Sequence, residues 1–153
     1  MTGSILYLAQ CTRFDLSSAA LQLSKACSNP AQVNITAAEH VLRYLRGNSV
    51  LPIVYRRGQF RLAAFTNSSF GANPDNGRCT TRYLFFLTGG LISYGAKTQT
   101  LTAQSTVEAE IQALSSSARE AVYVSNFMTE LNFKTFGSVP IERQHCGADS
   151  GRE

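Results

Sequence analysis

Apolar positions first recur at helical spacing. Leu16, Ala19, Ala20, Leu23, Ala26 and Cys27 follow Asp15, a residue suited to an N-cap, and Ser28, Asn29 and Pro30 stop the run. A second helix opens on a Thr36–Glu39 capping box and carries Ala38, Val41, Leu42 and Leu45 on one face. Gly47 and Asn48 end it. Two helices of this size are marginal alone, so the segment must pack on something else.

From Leu51 the period changes to two. Phe60, Leu62 and Ala64 alternate with Arg61, Ala63 and Phe65, and Pro74-Asp-Asn-Gly77 is a strong turn signal. Tyr83 to Leu87 reads as a second strand, Gly89-Gly90 as a tight turn and Leu91 to Tyr94 as the return, which predicts an antiparallel three-stranded meander. Helical spacing resumes after Gln104. Ser105 and Glu108 fit a capping box, and Val107, Ile111, Leu114 and Ala118 mark the stripe expected to be buried. A further helix is expected on Val124, Phe127, Met128 and Leu131, then a weak fourth strand from Pro140 to Cys146. The expected order is helix–helix, then β-β-β-α-α-β, without internal repeats.

Composition narrows the class. In 153 residues, 44% are hydrophobic and 16% charged, which permits a buried core and argues against general disorder. The uncharged stretch Tyr83–Ala96 is interrupted by three glycines and is shorter than the roughly 20 apolar residues of a spanning helix. Met1–Gln10 has neither a basic start nor a cleavage signature, so secretion has no support. Cys11, Cys27, Cys79 and Cys146 form no CxxC pair, which argues against a zinc module or a disulfide scaffold. Cys79 and Cys146 read as small buried hydrophobes.

Charge is unevenly distributed. Residues 51–101 carry Arg56, Arg57, Arg61, Arg78, Arg82 and Lys97 against Asp75 alone, a net of +5, whereas residues 102–153 carry four basic and seven acidic side chains. A basic middle beside an acidic end suggests a polyanion partner near carboxylates, and the planar fork of arginine suits phosphate. The five arginines could therefore contact nucleic-acid phosphates in a sequence-blind manner. The aromatic run Tyr83, Phe85, Phe86 reads as core and sheet face rather than a base-stacking platform.

Several blocks together resemble a known family. Gly3-Ser-Ile-Leu-Tyr-Leu-Ala9, Thr12-Arg-Phe-Asp15, Leu23-Ser24, Pro30 and His40-Val-Leu-Arg-Tyr-Leu-Arg-Gly47 resemble the end of a copia-type retrotransposon reverse transcriptase. Phe65-Thr-Asn-Ser-Ser-Phe70, Pro74-Asp75, Tyr83-Leu-Phe-Phe-Leu87, Ile92-Ser93 and Glu108-Ala-Glu110 resemble the ribonuclease H domain that follows it. The resemblance implies an α/β (α+β) chain: a ribonuclease H-like mixed sheet with flanking helices over residues 58–153, C-terminally truncated, preceded by a two-helix reverse-transcriptase segment over residues 1–50. It implies an RNA–DNA hybrid as partner, the rest of a Pol polyprotein as context, Mg2+ as cofactor, and an intracellular place in cytoplasm or nucleus.

The implied chemistry needs carboxylates, because two magnesium ions about 4 Å apart must be held to activate water and stabilise the leaving oxygen. The family seats an acid on the first strand, one on the helix after the meander and one at the end of the fourth strand. The first seat falls on Asn67, and Ser69 and Asn73 also stand where the family has acids, which leaves Asp75, in a turn, as the acid of that region. Glu110 fits the helix seat and the metal role, with Glu108 as capping partner. The third falls on Gly147 in strict register, or on Asp149 if the register slips by two; His145 reads as an exposed strand-end imidazole. The expected outcome is a copy with weakened metal binding and little or no turnover. A binding module without catalysis and a degenerate fragment are the rival readings.

Overall fold

The computed structural model describes residues 1–57, 61–71, 77–133 and 139–143. The chain forms two compact units, Met1–Ile53 and Val54–Glu153.

The first unit contains α1 (Thr2–Cys11), a 3-10 turn (Phe14–Leu16), α2 (Ser17–Lys25) and α3 (Gln32–Gly47). Two helices are expected here and three form. The uncharged sequence of α1 lacks a polar face that would reveal its period. Asp15 is not an N-cap. Its carboxylate accepts from Arg13 Nε at 3.0 Å and Arg13 Nη2 at 2.8 Å, and α2 starts only after the 3-10 turn. Nor does Thr36 open α3, which begins four residues earlier, at Gln32; the Thr36 hydroxyl donates back to the Gln32 carbonyl. Leu42 is exposed, while Ile5, Ala9, Leu16, Ala20, Leu23, Ala38 and Val41 form the core. Arg13 is only 8% exposed, donates from Nη1 to the Asn48 carbonyl at 2.8 Å and lies over the Tyr44 ring. One guanidinium thus joins the α1–α2 connection to the end of α3.

The second unit is built on β1 (Leu62–Ser69), β2 (Thr80–Leu87), β3 (Gly90–Thr98), α4 (Thr106–Glu130) and β4 (Ile141–Arg143). The sheet order is β3-β2-β1-β4, with β2 antiparallel to both β1 and β3, and β4 parallel to β1. The class is therefore mixed α/β, and the meander forms as expected. Alternation along β1 puts Leu62, Ala64 and Thr66 on the α4 face, where Leu62 and Ala64 pack with Phe85, Ala121, Val124 and Met128. Ala63, Phe65 and Asn67 point to the other face, where Phe65 meets Phe86 edge-on with ring centroids 5.8 Å apart. Phe85 is fully buried, in keeping with a core role for the aromatic run.

The helical part differs from expectation in two ways. Thr106–Glu130 is one continuous helix rather than two. Its buried stripe is Ala109, Ala113, Ser117, Ala121, Val124 and Met128, whereas Val107 and Ile111 are 60% and 61% exposed and Leu114 is also exposed. Size explains the inversion, because small residues let the helix axis lie close to the sheet. Ser117 can then donate to Thr66 Oγ1 at 2.7 Å, and Thr66 to the Arg82 carbonyl at 3.3 Å, a buried relay from helix to β1 to β2. The helix start is as expected: Glu108 N donates to Ser105 Oγ at 3.2 Å, although its carboxylate accepts from Gln104 N, one residue earlier than a capping box requires.

The hairpin turn is also shifted. Thr88 and Gly89, with φ of 50° and 82°, make it, and Gly90 already belongs to β3. Gly90 serves close packing: a Cβ there would fall inside the Tyr55 ring. Tyr55 donates its hydroxyl to the Leu91 carbonyl at 2.8 Å, and Arg56 N donates to the Thr88 carbonyl at 3.4 Å, so residues 55–56 lie along the hairpin end.

Candidate functional site

Asn67 sits half-buried near the C-terminal end of β1, directly opposite Arg82 on β2. Directly opposed residues share a face, with Cβ atoms about 5 Å apart. The next pair towards the strand end on that face, Ser69 and Thr80, adds two hydroxyls and no acid.

Glu110 is half-buried in the second turn of α4. A buried amide fixes where that turn lies. Gln99 Nε2 donates to the Ala109 carbonyl at 2.8 Å and to Thr81 Oγ1 at 3.0 Å, and Thr81 is opposite Ser68 on β1. The residue beside Glu110 is therefore tied to the same end of the sheet as the residue beside Asn67. Asn67 itself points to the face of the sheet away from α4, so the two residues share an end of the sheet but not a face. Asp149, together with Asn73, Asp75, His145 and Cys146, lies outside the described residues.

A pair of magnesium ions would need converging carboxylates. On this face at the end of β1, the neutral amide of Asn67 lies level with the Arg82 guanidinium. Among the described residues no three His, Cys, Asp or Glu side chains gather into a metal-binding group. The neutral amide of Asn67 does not fit the bridging position of a two-metal group, which needs a negative charge there.

The five arginines do not form one surface. Arg56, Arg57 and Arg61 line a groove of about 450 Å³ at the hairpin end, together with Phe86, Thr88 and Glu142. Arg82, like Asn67, lies at the opposite end of the sheet, and Arg78 is exposed just before β2 on that same side. Five residues of strand separate Leu62 from Asn67, about 17 Å.

A second groove, of about 550 Å³, lies between β3 and α4 and includes Lys97, Gln99 and Arg119. The sequence reading does not single out its residues, because no local pattern shows that residues 97–101 meet residues 111–119. Tyr83 lines it as well, and burial, reinforced by the charge of Glu120, raises its phenol above the ordinary value. Cys11, Cys27 and Cys79 are free thiols, and Cys79 is fully buried, as expected. Among the described residues no helix is long and apolar enough to cross a membrane.

Comparison with known proteins gives relatives across most of the chain. It is 33% identical over 129 residues to the Retrovirus-related Pol polyprotein from transposon TNT 1-94 of Nicotiana tabacum, which covers 84% of this chain and 10% of that protein. It is 35% identical over 124 residues to the Secreted RxLR effector protein 161 of Plasmopara viticola, covering 80% of this chain and 87% of that protein. The Retrovirus-related Pol polyprotein from transposon RE1 of Arabidopsis thaliana is 29% identical over 135 residues, 88% of this chain and 9% of that protein. The chain thus spans about a tenth of the length of the two polyproteins. No protein-family model and no solved structure matches it significantly.

Proposed function

The chain is homologous to copia-type retrotransposon Pol polyproteins over most of its length, and from that kinship we propose that residues 58–153 form a ribonuclease H-like module whose cutting centre no longer works. On this reading residues 1–50 are the closing helices of the reverse transcriptase, and the module's natural context is the remainder of a Pol polyprotein. The ancestral activity is endonucleolytic cutting of RNA in RNA–DNA hybrids, with bound Mg2+ supplying an activated water and charge for the leaving oxygen.

One observation carries the proposal. The sheet sets β1 between an antiparallel neighbour and a parallel one, with α4 across its face, an arrangement that supports a ribonuclease H-like reading. The family's first-strand acid is replaced here by Asn67, which lies opposite Arg82 on β2. A mixed sheet of this order with a neutral amide at position 67 supports the reading of a lapsed nuclease.

Nucleic-acid binding without cutting is the function left to such a module, and the groove of Arg56, Arg57 and Arg61 supports it. Three phosphate contacts to a duplex correspond to a slope of about −2.7 in log affinity against log salt. Fluorescence anisotropy of a labelled RNA–DNA hybrid at stepped salt tests this. Binding that weakens with that slope is the expected result, and absence of binding at low salt removes the binding function.

A further inference from the structure

We propose that the groove between β3 and α4 binds a small organic phosphate, a phosphomonoester carried on an apolar or aromatic body. The groove lies on the α4 side of the sheet, at the edge strand, whereas Asn67 points to the other side from an inner strand. The proposal therefore does not depend on the nuclease-like reading.

Charge comes first. Lys97 projects from β3 and Arg119 from α4; both are exposed, both line the groove, and no Asp or Glu lines it with them. Glu120, whose charge reaches the lining residue Tyr83, accepts a hydrogen bond from Ser93 Oγ at 2.6 Å and is not itself part of the lining. Two cations lining one groove are complementary to a phosphate dianion. Hydroxyls of Thr98, Thr100, Ser115 and Ser116 add neutral donors around the same space.

The second feature is Gln99, a lining residue only 6% exposed. The Ala109 carbonyl can only accept, so the amide end that reaches it must be nitrogen, and this fixes the orientation of the side chain. That nitrogen has two hydrogens, and both are committed, one to Ala109 and one to Thr81. The amide oxygen is left buried with no partner. It is a buried acceptor on a residue of the groove's lining, within reach of a ligand hydroxyl or N–H only if the wall opens slightly. Leu101 and Ile111, 67% and 61% exposed, form an apolar rim suited to a ring or alkyl body. A volume of about 550 Å³ lies within the range of small-molecule sites.

The test titrates the full 153-residue chain with adenosine monophosphate, adenosine and inorganic phosphate by calorimetry at low ionic strength. The monophosphate should bind more tightly than either of its parts. Lys97→Gln with Arg119→Gln should weaken it about tenfold or more with the melting temperature unchanged, while Arg56→Gln with Arg57→Gln should leave it as it was. Absence of saturable binding of the monophosphate below about 10 mM overturns the proposal. Binding that survives the Lys97 and Arg119 changes, or is lost with the Arg56 and Arg57 changes, overturns it equally. Circular dichroism of each variant confirms that loss of binding is not loss of fold.

Discussion

The N-terminal end of β1 starts beside Arg61, at a groove that Arg56 and Arg57 also line; its C-terminal end brings Asn67 level with Arg82. Both ends rest on the same packed layer. Leu62 and Ala64 are buried towards α4 at one end, and Thr66 is held by the Ser117 relay towards the other. The difference lies in what each end presents outward. A cationic groove has assembled at one, and at the other an amide and a guanidinium stand where metal chemistry would need acids. Burial and hydrogen bonding fix the scaffold, and nothing in that layer depends on an acid at position 67.

The largest expected effect sets the two ends apart by binding. Changing Arg56, Arg57 and Arg61 together to Gln should weaken hybrid binding about 100-fold at low salt and flatten the salt slope by nearly three units. Changing Arg82 alone should leave both the affinity and the slope unchanged. An equal loss from both would mean that the two ends form one surface. At the other end, Asn67→Asp should raise Mg2+-dependent hybrid cleavage about tenfold or more over the parent chain, followed by gel analysis of labelled RNA. A folded variant that still does not cut would locate the deeper defect at the third seat.

Smaller effects concern the scaffold. Gly90→Ala should push Tyr55 off the hairpin and cost about 1–3 kcal/mol in urea unfolding, and it should reduce hybrid binding through the displaced Arg56 without affecting the Asn67 end. The smallest lies outside the comparison, in the first unit. Arg13 holds the Asp15 carboxyl below its usual value by direct hydrogen bonds. A depressed folded-state value means that the stabilisation is present above the unfolded carboxyl's ordinary range and is lost as pH falls through the folded value. Thermal unfolding of the first unit should therefore weaken below about pH 4, and Arg13→Gln should remove that dependence.

Much of the second unit is legible from sequence. Period-two alternation identifies β1, and the Ser105–Glu108 pair marks the start of α4. What misleads is the assumption that the bulkiest apolar stripe is the buried one. Val107, Ile111 and Leu114 look like core, yet Ala109, Ala113 and Ser117 face the sheet, because close approach selects for small side chains and a reading of hydrophobicity alone does not see distance. Caps mislead for a related reason. Asp15 and Thr36 have N-cap chemistry, but one is claimed by Arg13 and the other by a carbonyl within its own helix. Asn67 and Glu110 could be named only through family resemblance, since polar residues at such positions carry no local signature. The β3–α4 groove was not legible, because its cations are 22 residues apart and meet only in the fold.

The most direct measurement is Mg2+-dependent cleavage of an RNA–DNA hybrid by the unaltered chain, with Glu110→Gln as control. The result expected is an intact RNA strand, indistinguishable between the two proteins over the full Mg2+ range. Cleavage by the unaltered chain that rises with Mg2+ and disappears in Glu110→Gln would show that the centre works with Asn67 in place, and would contradict the account.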